Sequence, residues 1–556
     1  MAERVKKSIP WFLTLALIGL VIGLGFNVGT TTIKADDVST SVTVGNAAPS
    51  FTAGPVEDAA SYGTTPTNVG SNITLKATAS DPNTDNYYLA ICKTNAVSAG
   101  TGGGAPTCTG GNWCISSSVA DDAEATCNYT ALIGDSESNV WYAFLCDAAS
   151  SNQQCSASSQ GSGDPGSPFK VNHRPSFTVV NECANVNPGS NCSITTTASD
   201  SDTDTSADTI SLYVCKAADF TGTVCGGGGT WCSSTGQASN PSCNAAAPTP
   251  SEGAQSYYAY MIDSHSFAAS GSPQGEAQSF TVNNVAPVVS SMTLNGGSDI
   301  TLTENTTTNV VVTATVSDNN GCGEVDADGD AFASIYRSGI GWAGCSSDDA
   351  NNCYRLEACV YGASSCTGGT DLDSTFTCTV AIQYHADPTD VGTLYPTETW
   401  LTTVQATDEA LSGNTEVAAG VEMISLSALD ITSSVAYGSL APGQENSSDQ
   451  TTTVTATGNV GLDAEYSGTA MASGGDTIPV GQQKYDLTGS KVWSSMDYAL
   501  SVSATERELN CAKTTNSASP ATANTYWRIQ IPSAQPAGSY SGTDTVGAVT
   551  GETGNW

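Results

Sequence analysis

A chain of 556 residues exceeds the roughly 250–300 residues that one hydrophobic core supports, so several domains are expected. It carries 54 acidic residues against 16 basic ones, a formal net charge of -38. So negative a body repels nucleic acid and anionic lipid, which excludes phosphate-backbone binding and reads first as a self-repelling, soluble surface.

The N-terminal "MAERVKKSIP" places Arg4, Lys6 and Lys7 ahead of an apolar run, Trp11–Phe26. That run is shorter than the roughly 20 residues of a membrane span and suits a secretory signal. Residues 1–35 are therefore expected to be a signal peptide cleaved after Ala35, with 36–45 a linker. The polar stretch Asn27–Lys34 is long for a cleavage region, so an uncleaved N-terminal membrane anchor is the alternative.

Beyond the linker the chain repeats itself. "TASDPNTDNYYLAICK" (Thr78–Lys93) returns as "TASDSDTDTSADTISLYVCK" (Thr197–Lys216), and "CTGGNWC" (Cys108–Cys114) returns as "CGGGGTWC" (Cys225–Cys232). "WYAFLCD" (Trp141–Asp147) matches "YYAYMID" (Tyr257–Asp263). The repeats begin on Asn/Pro junctions: "NAAPSF" from Asn46, "NHRPSF" from Asn172 and "NNVAPV" from Asn283. "SNITLKATASD" alternates Ile73, Leu75, Ala77 and Ala79 at period two, and "NVVVTATVSD" (Asn309–Asp318) and "TWLTTVQATD" (Thr399–Asp408) are rich in β-branched residues. No helical period competes. The pattern predicts an all-β chain: Ig-like β-sandwich repeats at 46–171 and 172–283, a third Ig-like β-sandwich module at 284–424, and a C-terminal β-sandwich domain at 425–556. In the last, "TYWRIQIPSAQPAGSYSGTDTVGAV" reads as two strands about a Pro/Gly turn.

The Asn-x-x-Pro junctions, the strand ends in "ASD" and the sandwich-sized modules resemble bacterial Ig-like or cadherin-like surface repeats. The cysteine-rich units and the "YGSLAPG…TGN" module are similar to secreted surface proteins of uncultured small-genome bacteria. The resemblance implies an extracellular structural or adhesive role and transfers no catalytic residue.

Nineteen cysteines fall six, six, six and one across the four modules, and even counts in an exported chain argue for disulfides. Both repeats share a set of four: Cys92, Cys108, Cys114 and Cys127 against Cys215, Cys225, Cys232 and Cys243. Sequence leaves all three connectivities of that set open. Cys146 and Cys155 occur only in the first repeat, and Cys183 and Cys192 only in the second. Each such pair is missing from the sister repeat as a pair, so Cys146–Cys155 and Cys183–Cys192 are expected bonds. The third module has Cys322, Cys345, Cys353, Cys359, Cys366 and Cys378, with no pairing assigned. Cys511 is left over, as a buried thiol or, less favoured, an intermolecular bond. Spacings of five and six between neighbouring cysteines suit neither zinc nor a Cys-x-x-Cys redox site. The "CTGGNWC" loop reads as a staple with Trp113 beside it.

Catalytic candidates are few. His173, His265 and His385 stand alone, without a Gly-x-Ser-x-Gly or His-Glu-x-x-His context. Strands end in Asp81, Asp200, Asp318 and Asp408, with carboxylates clustered behind them. Asp and Asn commonly only start turns through side-chain-to-backbone hydrogen bonds. Calcium is the one ion that such a pattern would suit, at Asp81 and Asp85, at Asp200 and Asp204, and best at Asp326, Asp328 and Asp330. No other cofactor is implied. The reading is a non-enzymatic extracellular or cell-surface protein whose partners are other surface proteins, like subunits or cell-wall or host glycans. It excludes nucleic acid, and it admits the membrane only through an uncleaved N-terminal segment. The alternative is an adhesin or glycan binder with its site on the third or terminal module.

Overall fold

The computed structural model describes residues 39–59, 61–161, 166–203, 208–417 and 419–556. The expected signal peptide, the first residues of its linker and Asp204 lie outside the described residues. The chain is nearly all β, and no described helix is long and apolar enough to cross a membrane. It divides into two compact units. One draws on residues up to Pro55, Lys76–Cys127 and Ala143–Ser159; the other on Val56–Leu75, Asn128–Tyr142 and Gln160–Trp556.

In the first unit, β1 (Tyr87–Cys92) is the central strand of a sheet, antiparallel to β2 (Asn112–Ile115) on one side and flanked on the other by β3 (Tyr142–Asp147), which enters this unit at Ala143. Tyr87, Leu89 and Ile91 are fully buried, as are Leu145 and Cys146. Bonds Cys92–Cys108, Cys114–Cys127 and Cys146–Cys155 staple this unit.

Among the described residues the second unit holds three large cores. The first lies between two sheets. One is β4 (Ser176–Asn181), β5 (Asn191–Ser199) and β8 (Ser242–Ala246); the other is β7 (Thr230–Gln237), β6 (Ile210–Cys215), β9 (Gly253–Asp263) and β10 (Ala277–Val282). Phe177 and Ile194 from one sheet meet Leu212, Tyr257 and Phe280 from the other, the period-two burial that makes a sandwich. Cys183–Cys192, Cys215–Cys225 and Cys232–Cys243 repeat the sequential connectivity of the first repeat.

The second core belongs to a seven-stranded set in the order β11 (Val288–Leu294), β12 (Thr307–Ser317), β15 (Asp373–Gln383), β14 (Cys353–Tyr361), β13 (Ala331–Arg337), β16 (Trp400–Thr407) and β17 (Ser412–Glu416). Val310, Val312 and Val316 point inward from β12, and Phe376, Val380 and Ile382 from β15. Strand β14 pairs β13 through its first half and β15 through Cys359–Tyr361. Leu356 has φ +53° at the register shift inside the β13 pairing, a bulge, and the strand changes partner from β13 to β15 between Ala358 and Cys359. Cys322–Cys366, Cys345–Cys353 and Cys359–Cys378 brace it.

The third core lies between β18 (Leu429–Ile431), β19 (Gln450–Ala456), β24 (Thr522–Ile529), β21 (Gln483–Asp486) and β22 (Tyr498–Ala499) on one side and β23 (Thr505–Cys511), β20 (Leu462–Gly468) and β25 (Asp544–Thr550) on the other. Tyr466 stacks on Tyr485 across the gap, centroids 4.4 Å apart. The two strands expected about a Pro/Gly turn, β24 and β25, are not a hairpin: they belong to opposite sheets, because each completes a different face around Trp527. Cys511 is buried with a free thiol, and burial raises its pKa.

Candidate functional site

The staple loops are built alike. Lys93 N–H donates to the Gly111 carbonyl and Lys216 N–H to that of Gly229, both glycines at positive φ (+91° and +88°), where a Cβ would strain the turn. Each lysine then lies over the tryptophan that follows, Lys93 Nζ 4.0 Å from Trp113 and Lys216 Nζ 4.4 Å from Trp231. The loops are braces closed by disulfides.

A second motif recurs at four linkers. Three residues after a strand end, the side-chain oxygen of Asn83, Asp202, Asn320 or Asn459 accepts a backbone N–H from the incoming linker. The donors are Ala47 (2.8 Å), His173 (2.6 Å), Val285 (2.7 Å) and Leu426 (2.6 Å). In the first three copies the strand-end aspartate caps the turn. Asp81 Oδ1 accepts from Asn83 N–H (2.6 Å), Asp200 Oδ1 from Asp202 N–H (3.0 Å) and Asp318 Oδ1 from Asn320 N–H (2.8 Å). Asn320 Nδ2 donates to Asn283 O and Ser251 O, both at 2.9 Å, and Asn459 Nδ2 to Ile424 O at 3.1 Å. The linker asparagines add a further tie, Asn46 Nδ2 to Asp147 Oδ2 (2.8 Å) and Asn172 Nδ2 to Asp263 Oδ2 (2.9 Å).

Carboxylates gather at these clamps. Asp200, Asp202 and Asp208 form one group, and Asp318, Glu324 and Asp408 another, each offering oxygens within 4.8 Å of one another; Asp463, Glu508 and Glu552 form a third elsewhere. Asp81, Asp200 and Asp318 each bury an Oδ2 that has no hydrogen-bond partner. Burial, then Asp202, Asp263 and Asp208, push Asp200 up to about 6 against the hydrogen bond from Asp202. Burial, then Asp318, Glu252 and Asp408, push Glu324 up to about 7. In the Asp200 group, His173 Nδ1 faces Asp202 at 2.9 Å and His265 Nε2 faces Asp208 at 3.1 Å.

The expected best metal group is not assembled. Asp326 and Asp328 are exposed, Asp328 accepts from Tyr361 N–H (2.7 Å) and Asp330 from Ala327 N–H (2.9 Å). Neighbours in a turn spread their carboxylates to cap backbone, so density along the sequence did not become density in space. Asp85 only approaches Asp81, through its N–H at 3.5 Å.

The third histidine, His385, is buried, with Nδ1 3.3 Å from Asn351 Oδ1; burial and then Lys513 push its pKa down to about 4. Around it runs a buried ionic network. Asp387 pairs with Lys513 (3.1 Å) and Arg337 (3.3 Å), and Lys513 Nζ also donates to Asn351 Oδ1 (3.2 Å). This network ties the core of β11–β17 to the terminal one, where Asn305 N–H also bonds Thr457 O at 3.0 Å. Sequence reading missed it, because a lone Lys and a lone Asp 126 positions apart carry no pattern.

No protein-family model matches the chain, and no curated protein matches it. Among solved structures, a three-immunoglobulin fragment of titin aligns over 68% of this chain and 98% of its own, at 9% identity and a TM-score of 0.31. Fibronectin(III)-like modules of Clostridium thermocellum CbhA align over 41% and 92%, at 16% identity and 0.20. An ectodomain fragment of ICAM-5 aligns over 87% and 96%, at 8% identity and 0.21. None of the three superposes well enough to carry an argument about this chain.

Proposed function

We propose that the protein is a non-enzymatic extracellular scaffold: tandem stapled β-sandwich modules, bounded near residues 172, 284 and 425, whose task is to hold a fixed spacing at or outside a cell surface. The observation that carries this reading is the linker clamp, which recurs four times with one donor and one acceptor position. A chain whose repeated polar groups fix linkers is spending its chemistry on geometry. The nine disulfides suit an oxidising compartment, where each contributes about 2–4 kcal/mol to a thin-cored module. Partners on this reading are neighbouring copies, other surface proteins or cell-wall glycans.

Antibody against the chain should label intact, unpermeabilised cells or the surrounding medium. Label confined to permeabilised cells would overturn the reading. A second reading, an adhesin or glycan binder, is favoured by a cleft of about 490 Å³ in the terminal module, lined by Tyr437, Pro442, Met471, Ile478, Ile531 and Tyr540. A glycan array separates the two: reproducible binding abolished by Tyr540→Ala would select the binder.

A further inference from the structure

The clamp does not account for the group formed by Asp318, Glu324 and Asp408. Asp318 follows β12, Asp408 follows β16, and Glu324 ends the turn Cys322–Glu324, which the Cys322–Cys366 bond secures. Both aspartates divide their labour in the same way. Asp318 Oδ1 accepts the Asn320 N–H, and Asp408 Oδ1 accepts the N–H groups of Ala410 (2.7 Å) and Leu411 (2.5 Å). The Oδ2 of each is buried without a partner, and Asp318 as a whole is 0% exposed. Among the described residues no Lys, Arg or His is ion-paired with any of the three, unlike the Asp200 group with its two histidines. Glu252, from the loop whose Ser251 carbonyl accepts Asn320 Nδ2, adds a fourth negative charge felt by Asp318 and Glu324. Bare, buried oxygens crowded by like charge are costly unless a proton or a cation neutralises them.

We propose that Asp318, Glu324 and Asp408 bind one Ca²⁺ ion where the module beginning near residue 284 meets the one before it. The donors are all oxygen, which selects a hard cation over zinc. They come from two strand ends and a turn, a set suited to the irregular six-to-eight-fold shell of calcium more than to the strict octahedron of magnesium. Asn284, the counterpart of Asn46 and Asn172 in the linker, also buries an Oδ1 with no partner. The ion would fasten both strand ends to the stapled turn and neutralise Glu252 across the joint.

The test is calorimetric titration of the EDTA-stripped full chain with CaCl₂, beside Glu324→Gln and Asp408→Asn. Ion uptake is read directly, so its outcome is separable from where the protein resides. We expect each variant to keep the native circular dichroism spectrum and to lose one calcium equivalent, or at least about tenfold in its affinity. Unchanged isotherms in both folded variants, no uptake by the parent chain below about 10 mM, or MgCl₂ binding as tightly as CaCl₂ would each overturn the proposal. Should a variant misfold, hydrogen exchange of the parent chain decides. Slowing across 318–325 on adding CaCl₂ supports the site, and no change there removes it.

Discussion

Two staples in one module close loops of very different length, and this permits a quantitative test of what they do. Cys322–Cys366 spans 44 residues and Cys345–Cys353 spans 8. If a bridge acts by restricting the unfolded chain, the loop-closure relation gives about 4 kcal/mol for the long loop and about 2.5 kcal/mol for the short one. The constant part cancels in the comparison and leaves a difference of about 1.5 kcal/mol. Three of the four cysteines are buried to the same degree, 1% exposed, so the transfer and cavity costs of Cys→Ala are similar and the loop length dominates. The perturbations are the double variants Cys322→Ala/Cys366→Ala and Cys345→Ala/Cys353→Ala in the full chain. The readout is native-state hydrogen exchange of the slowest amides in β12 and β15, which pair across the centre of this core and report its opening free energy. The long-loop variant should exchange roughly tenfold faster than the short-loop one. Equal rates, or the reverse order, would refute the entropic account and leave the bridges as enthalpic, local braces.

Three further outcomes follow from the joints. Lys513→Met removes one of the two cations on buried Asp387 and should cost about 2–3 kcal/mol in the unfolding of the terminal module, less than for a lone buried pair because Arg337 remains; a calorimetric loss below about 1 kcal/mol would mean that water already solvates the pair. Asn459→Ala strips the acceptor from Leu426 N–H and should cost about 1–3 kcal/mol, seen as faster proteolysis near 424–426. His385 has a folded pKa near 4 against an ordinary 6.5, so the unfolded chain takes up its proton first. Stability should therefore fall as the pH drops from about 6.5 towards 4, by at most about 2 kcal/mol at pH 5 for this group. His385→Gln should flatten that part of the profile, and an unaltered slope would assign it to other groups.

Much of the fold was legible because its signals are local. Period-two burial in "NVVVTATVSD" needs only neighbours on one strand, and β12 follows it residue for residue. Comparing sister repeats went further, since a cysteine pair present in only one repeat has only itself to bond. The structure joins Cys146 to Cys155 and Cys183 to Cys192. The shared four stayed open until three dimensions chose sequential pairing. The carboxylates divided in the same way. Asp318 and Asp408 were visible as strand ends, but their meeting depends on β12 and β16 finishing at the same edge of the module, which no window of sequence contains. "DADGD" drew attention by density alone, yet short-range geometry turned its side chains onto the backbone. The swap of β24 and β25 between sheets was equally invisible, since a Pro/Gly-rich connection reads alike whether it folds back or crosses over.

The linker clamp has its donor in the segment leading into a module and its acceptor inside that same module. Leader and body are therefore a self-contained cassette. The clamp by itself would let such a cassette be duplicated or shuffled by whole steps, but Asn320 Nδ2 also donates to Ser251 O of the preceding module, which ties that step to its neighbour. The Lys513–Asp387 pair works the other way, as a lock cut for one key. It commits the last cassette to the one before it, so variation in length should be punished at the far end.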